Sequence, residues 1–324
     1  MISWCIMATG KIAHQFADTL RDMGGEAQFY AVSSRSREAA EQFAGEYHIA
    51  FPDLKAYTHQ EMLADPAVQA VYVCSPNVCH YEDVKRCLLA GKHVLCEKPF
   101  TCSEREACEL TELAAKQQVF LMEGMWIAHL PLIQKMQSMI AEGLLGDIRR
   151  ISADYGFISS GIRRERKLSA ALGGGALMDV GVYTLAFPYL CLKKLPVSYT
   201  STAVFNDGGT DDRSFSLLHY GDGCCAMVSS AIGTVIPQYG TVCGSEGTIF
   251  FPDFQEAQQM DWTANDGQSQ HYSKPFASTG FEYQIRECER CIENGQLQSE
   301  HWNWADTLAL QHQMDEIRRC WKEA

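Results

Sequence analysis

What most limits the fold of this chain is a pattern in its first 122 residues, where short, wholly apolar runs alternate with stretches of helical spacing. Ile2 to Met7, "FYAVS" (Phe29 to Ser33), Val68 to Cys74, "HVLCEK" and "VFLMEG" are strand-like runs with no polar alternation. In "REAAEQFAGEYHI" the apolar positions Ala39, Phe43 and Tyr47 recur at helical spacing. Ser103 and Glu106 open "SEREACELTELAAKQQ" as a capping box. A strand that is apolar on both faces needs cover on both faces, and helices between successive parallel strands supply it. The expectation is an α/β domain over residues 1–122 with a doubly wound parallel sheet.

Beyond residue 123 the texture changes. "DIRRISADYGF" alternates like a half-exposed strand, and "DDRSFSLLHYGDGCCAMVSSAIG" holds two runs across Gly221-Asp222-Gly223, a hairpin signature. "YGTVCGSEGTIFFPDF" repeats the scheme across Gly244 to Gly247. Helical spacing returns in "HLPLIQKMQSMIAEG" and in the closing "WADTLALQHQMDEIRRCWKE". Residues 123–324 therefore read as a second, α+β domain with a mainly antiparallel sheet, whose last helix is able to pack back on the first domain. A chain of 324 residues exceeds what one core usually organises, which agrees with two domains.

The formal net charge of −13 repels phosphate backbones and anionic lipid, so nucleic acid and membrane surfaces are not expected partners. The fourteen cysteines are scattered through apolar stretches and read as reduced thiols. One C-x-x-C, Cys288 to Cys291, falls in a helical pattern without a second pair, and no metal site is expected. "MISWCIMATG" is no signal peptide, and no apolar run approaches the ~18 residues of a membrane span. The expected location is the cytoplasm.

The first strand runs into Ala8-Thr9-Gly10-Lys11-Ile12 at the head of the first helix, where a dinucleotide fold places G-x-G-x-x-G/A and its amides accept a pyrophosphate. Ala8 replaces the first glycine; it serves if its φ is negative and fails if the turn needs φ above zero. After the second strand, where NAD-preferring folds usually carry an acidic residue, the chain has Ser33-Ser34-Arg35-Ser36-Arg37. Hydroxyls beside a guanidinium suit a 2′-phosphate and favour NADP over NAD, although a solvated basic loop has the same composition. Three later segments bear on chemistry. "CSPNVCHYEDV" places Ser75, Asn77 and His80 after a strand, and "AGKHVLCEKPF" puts Glu97 and Lys98 at a strand's carboxyl end. "LGGGALMDVGVY" sets Asp179 and Tyr183 four apart behind three glycines that let backbone pass close to a ligand.

With these segments in this order, the chain resembles the Gfo/Idh/MocA oxidoreductases, in the branch of glucose–fructose oxidoreductase and dimeric dihydrodiol dehydrogenases. The resemblance runs nearly end to end, through "SPN…H", "AGKHVLCEKP", "MEGMW…P" (Met122 to Pro131), "GGGALMDVGVY" and "FEYQIRECERCIENG". It implies a dinucleotide-binding domain followed by a domain with an open, mainly antiparallel sheet, and a homodimer or larger assembly. It implies NADP or NAD bound by Ala8, Thr9, Gly10, Lys11, Ile12, Ser34, Arg35, Ser75, Asn77, His80, Glu97 and Lys98. It also implies hydride transfer to or from a hydroxyl-bearing carbon of a sugar, polyol or cyclic diol. Lys98 would polarise the reacting oxygen, Tyr183 would give or take its proton, and Asp179 would bond substrate hydroxyls. The arginine of a "W-x-R-x-x-P" pattern is absent, with Ala128 in its place and His129 beside it; the basic "GIRRERKLSAA" (Gly161 to Ala171) reads as a solvated loop or a pocket border. Two rival readings share the fold: glycoside hydrolysis through transient oxidation by bound NAD without net redox, and a non-catalytic nucleotide-binding regulator.

Overall fold

The computed structural model describes residues 1–323. The amino-terminal part runs β1 (Ser3–Met7), α1 (Lys11–Asp22), β2 (Gln28–Ser34), α2 (Arg37–Tyr47), β3 (Lys55–Thr58), α3 (His59–Ala64) and β4 (Ala70–Val73). It continues with α4 (His80–Leu89), β5 (His93–Glu97), α5 (Glu104–Gln117) and β6 (Leu121–Gly124). The middle holds α6 (Pro131–Ala141), β7 (Ile148–Phe157), α7 (Gly161–Lys167), a π-turn (Leu177–Gly181) and α8 (Val182–Leu192). Six strands follow: β8 (Ser198–Phe205), β9 (Asp211–His219), β10 (Cys225–Ile232), β11 (Gly240–Gly244), β12 (Gly247–Phe251) and β13 (Gln259–Ala264). The chain ends with β14 (Ser269–Ser273), α9 (Phe281–Glu293) and α10 (Trp304–Glu323). Contacts group Met1–Trp126 with Phe276–Thr307 in one compact unit, and Ile127–Pro275 with the residues from Leu308 onward in another.

In the first unit six parallel strands stand in the order β3-β2-β1-β4-β5-β6, the doubly wound arrangement the alternation predicts. Of the four interior strands, β1, β4 and β5 are almost wholly buried, which is why their sequence shows no polar alternation. Helix α1 buries Ala13, Phe16, Ala17 and Leu20, the i, i+3, i+4, i+7 stripe of a helix laid on a sheet. The order reverses between β1 and β4, so the carboxyl ends of β1, β2, β4 and β5 face the crevice where such folds take ligands. Two details differ from the sequence reading. The short β3–α3 pair goes unannounced in the sequence apart from its capping box, Thr58 with Glu61. At α5, Ser103 does accept the Glu106 N–H, but the Glu106 carboxylate reaches one residue further back, to the Cys102 N–H at 3.1 Å.

In the second unit eight strands form one open sheet, β14-β13-β12-β11-β7-β10-β9-β8, antiparallel except for β7 against β10. Both hairpins fall where the glycines place them: Gly221 and Gly223 adopt positive φ between β9 and β10, and Gly244 to Gly247 join β11 to β12. Against the expectation that no apolar run approaches a membrane span, the helical stretch Ala170–Leu192 is long and apolar enough to cross one by length and composition. Some 89% of its most apolar window is buried inside the protein, so it is a core helix, apolar all round because protein covers all of it.

Candidate active site

In the first unit the head of α1 has the form of an anion site. Its N-cap is Gly10, extended and without any side-chain cap, so the first amides of the helix have no side-chain acceptor from the chain itself. A β-carbon on Gly10 would meet nothing within 4 Å, which leaves open space over the turn. Ala8 answers the conditional raised by the sequence: its φ is +111°, a conformation L-residues rarely adopt, while its N–H is bonded to the Ser33 carbonyl at 2.9 Å. The turn therefore demands positive φ, and alanine occupies it under strain.

At the end of β2 the structure separates five polar residues that look alike in sequence. Ser33 is buried with its hydroxyl 3.2 Å from His59, Ser36 caps α2, and Arg37 bonds Glu61 and the Ala56 carbonyl. Among the described residues, Ser34 and the exposed Arg35 make no side-chain hydrogen bond or ion pair. They are the two that remain available to a ligand. Together with the uncapped α1 and the open space over Gly10, they fit a dinucleotide with a phosphate on its ribose.

The β4 and β5 ends are braced from within. His80 is buried, and its ring nitrogens lie 3.0 Å from the Pro99 carbonyl and 2.9 Å from that of Ser75. It ties the Ser75–Asn77 loop to the Lys98–Pro99 loop, and both of its polar atoms are occupied by protein. Burial lowers its pKa. A neutral imidazole has only one N–H for these two carbonyls, so one of the contacts is made without a proton. Glu97 is likewise turned inward and accepts the Tyr72 hydroxyl; burial raises its pKa, and the Lys98 charge opposes that rise. Ser75 donates to Asp83 at 2.7 Å. The sequence reading counted Ser75, His80 and Glu97 among cofactor contacts; in the structure their side chains bond within the protein and support the loops that bear Asn77 and Lys98. Beneath these loops lies Glu123, which sequence reasoning did not single out. It accepts the Phe100 N–H at 3.2 Å, the Trp302 indole at 2.8 Å and the Thr307 hydroxyl at 3.0 Å, and burial pushes it up to about 7. Its only sequence signal is its place inside "MEGMW".

In the second unit Asp179 sits on the π-turn and Tyr183 in the first turn of α8, so one helical turn carries both. A single π-turn inside a helix is rare and frequently marks a functional position. Tyr183 is 6% exposed, its ring 6.1 Å from that of Tyr155. The Asp179 carboxylate is ion-paired with Lys167, the last residue of α7. "GIRRERK" is a short, largely exposed helix whose last residue borders Asp179. Two of the three glycines lie against the chain itself. A β-carbon on Gly174 would collide with the Lys167 carbonyl, and one on Gly175 with the Asp211 carboxylate, so the close approach is to the chain itself. Asp211 accepts the Leu177 N–H at 2.7 Å at the head of the π-turn, and burial pushes its pKa up to about 6. His129 is buried at 3% exposure, in keeping with packing.

Two family models match the chain: the Oxidoreductase family, NAD-binding Rossmann fold, over residues 2–125, and the GFO/IDH/MocA C-terminal domain over residues 133–250. A trans-1,2-dihydrobenzene-1,2-diol dehydrogenase from Xenopus laevis is 29% identical, over 97% of this chain and 96% of its own. An NADP(+)-dependent scyllo-inositol 2-dehydrogenase from Bacillus subtilis is 30% identical, over 98% and 97%. Among solved structures, a 3-ketoreductase from Actinomadura kijaniata in complex with NADP and TDP-benzene superposes with a TM-score of 0.85 at 25% identity, covering 98% of this chain and 97% of its own. The chain is a member of the GFO/IDH/MocA family of NAD(P)-binding oxidoreductases.

Proposed function

We propose that this oxidoreductase moves a hydride between NADP and a hydroxyl-bearing carbon of a sugar, polyol or cyclic diol, with Lys98, Asp179 and Tyr183 as its catalytic residues. The observation that carries this reading is the setting of Lys98. Glu97, Pro99 and Phe100 around it are buried, whereas Lys98 is half-buried, on a loop braced from beneath by His80 and Glu123. An ammonium so placed stabilises negative charge on an oxygen as a hydroxyl becomes a carbonyl. Tyr183 takes the hydroxyl proton in oxidation and returns it in reduction, and Asp179 accepts hydrogen bonds from a neighbouring hydroxyl. NADP, when bound, supplies or accepts the hydride. The diol and inositol substrates named for the relatives support the substrate class. Ser34 and Arg35 support NADP over NAD through charge-assisted bonds to a 2′-phosphate.

Fourteen cysteines free of disulfides among the described residues support a reducing, cytoplasmic location. A homodimer formed through the open sheet completes the proposal.

The test is a panel of D-xylose, scyllo-inositol and trans-1,2-diols, assayed with NADP and NAD in both directions by the absorbance of the reduced nicotinamide. Lys98→Ala is expected to cut turnover by about two to four orders of magnitude while cofactor affinity stays within a few-fold. Arg35→Ala is expected to weaken NADP about tenfold or more and NAD little. Unchanged turnover in Lys98→Ala removes that residue from the chemistry, and equal losses for both cofactors overturn the 2′-phosphate reading. Glycoside cleavage without net nicotinamide reduction would mark the non-redox rival.

A further inference from the structure

The basic helix α7 is built into the second unit by contacts that converge on the segment 210–212. Thr210 donates its hydroxyl to the Leu168 carbonyl at 2.8 Å. Asp211 holds the head of the π-turn through the Leu177 N–H at 2.7 Å. Asp212 holds α7 through Arg164 at 2.6 Å, and Arg164 also donates to the Ile232 carbonyl at 3.2 Å. Three consecutive residues, Thr210 and the first two of β9, thus anchor both the helix that ends at Lys167 and the turn that bears Asp179. Two further contacts link these elements directly. The Lys167 carbonyl accepts the Gly175 N–H at 2.9 Å, and the Lys167 ammonium pairs with the Asp179 carboxylate. That ammonium also lies 5.1 Å from the centre of the Phe157 ring. The Lys167 and Asp179 side chains are 28% and 21% exposed, so the pair is shielded yet still open to a ligand.

From this arrangement we infer that Lys167 is a positioning residue for Asp179, holding its carboxylate in one orientation for substrate hydroxyls. An aspartate presented to a polyol has to be a hydrogen-bond acceptor with a fixed direction, and an adjacent fixed cation supplies that direction. The inference rests on the proposed role of Asp179 and goes beyond it by naming the group that prepares it. The main-chain contact to Gly175 does not depend on the side chain, so replacing Lys167 leaves that link in place.

Steady-state kinetics of K167M, K167R and D179N, each checked for folding by its thermal melt, test this. With scyllo-inositol and NADP, kcat/KM of K167M is expected to fall roughly tenfold, chiefly through a higher KM for the polyol, while the KM for NADP stays within a few-fold of wild type and K167R recovers most of the loss. The double variant K167M/D179N is expected to be no more impaired than D179N alone. An unchanged polyol KM in folded K167M overturns the inference, as does additive loss in the double variant. Should K167M not fold, K167Q gives the same comparison. Full activity in D179N would instead refute the role given to Asp179.

Discussion

Ala8 shows how one residue can make a legible motif look degraded. The turn holds this residue at φ +111°, where glycine is at ease and the Cβ of alanine brings strain on the order of 1–3 kcal/mol. Part of that strain is offset because glycine loses more backbone entropy on folding, about 0.5–1 kcal/mol. Ala8→Gly is therefore expected to stabilise the protein by about 1 kcal/mol and raise Tm by about 2 °C, while the bulkier Ala8→Val lowers it. Calorimetry of the three proteins decides the point: no gain from glycine means the strain is not there. The sequence raised the question of φ but neither resolved it nor foresaw the outcome, which is alanine held at positive φ under strain. The same limit holds at Ser33 to Arg37, where five polar residues share one composition. Only the tertiary partners His59, Glu61 and Ala56 show which of them are committed.

At the scale of elements, the π-turn and α8 depend on one buried carboxylate from a distant strand. Asp211 is 6% exposed, and burial outweighs its hydrogen bonds, so its folded pKa lies at about 6 against the ordinary 3.8. A carboxyl whose pKa is raised by folding stabilises the protein when protonated, and that contribution is lost as pH climbs through this window. An asparagine in its place keeps an acceptor for the Leu177 N–H and does not ionise. D211N is therefore expected to gain stability relative to wild type between about pH 4 and 6, by up to about 3 kcal/mol. D211A leaves a buried N–H without its acceptor and is expected to lose about 1–3 kcal/mol throughout. Denaturant melts across that range check both, and a constant difference between D211N and wild type would show that Asp211 does not titrate there. None of this is readable along the chain, because Asp211 and Leu177 are 34 residues apart. The parallel sheet was readable, since burial on both faces writes itself into β1, β4 and β5 as unbroken apolar runs. The two hairpins were readable too, from glycines that adopt positive φ or stand close to neighbouring backbone. The Lys167–Asp179 pair was not: its spacing of twelve follows no helical or strand period, and a run of cations looks the same in solvent.

For the molecule as a whole, the open sheet poses the remaining question of assembly. On β8, β9 and β10 one face presents Val204, Phe215 and Met227 at 43%, 46% and 51% exposure. The strand register places Phe215 between Thr202 and Ser229, Val204 opposite Arg213 and Met227 opposite Leu217, so the three apolar side chains stand on one face of three adjacent strands. Apolar surface gathered on a flat sheet face gains most by meeting a second sheet. The net charge of −13 opposes self-association at long range, and salt screens that repulsion within about 10 Å while leaving apolar burial intact. Association through this face is therefore expected to strengthen from low to moderate salt, the opposite of an interface held by ion pairs. Phe215→Glu combined with Met227→Glu places two carboxylates from each copy across the contact and should shift sedimentation equilibrium to monomer at micromolar protein. Retention of the wild-type mass by that double variant, or dissociation of the wild type as salt is added, would locate any assembly elsewhere on the surface.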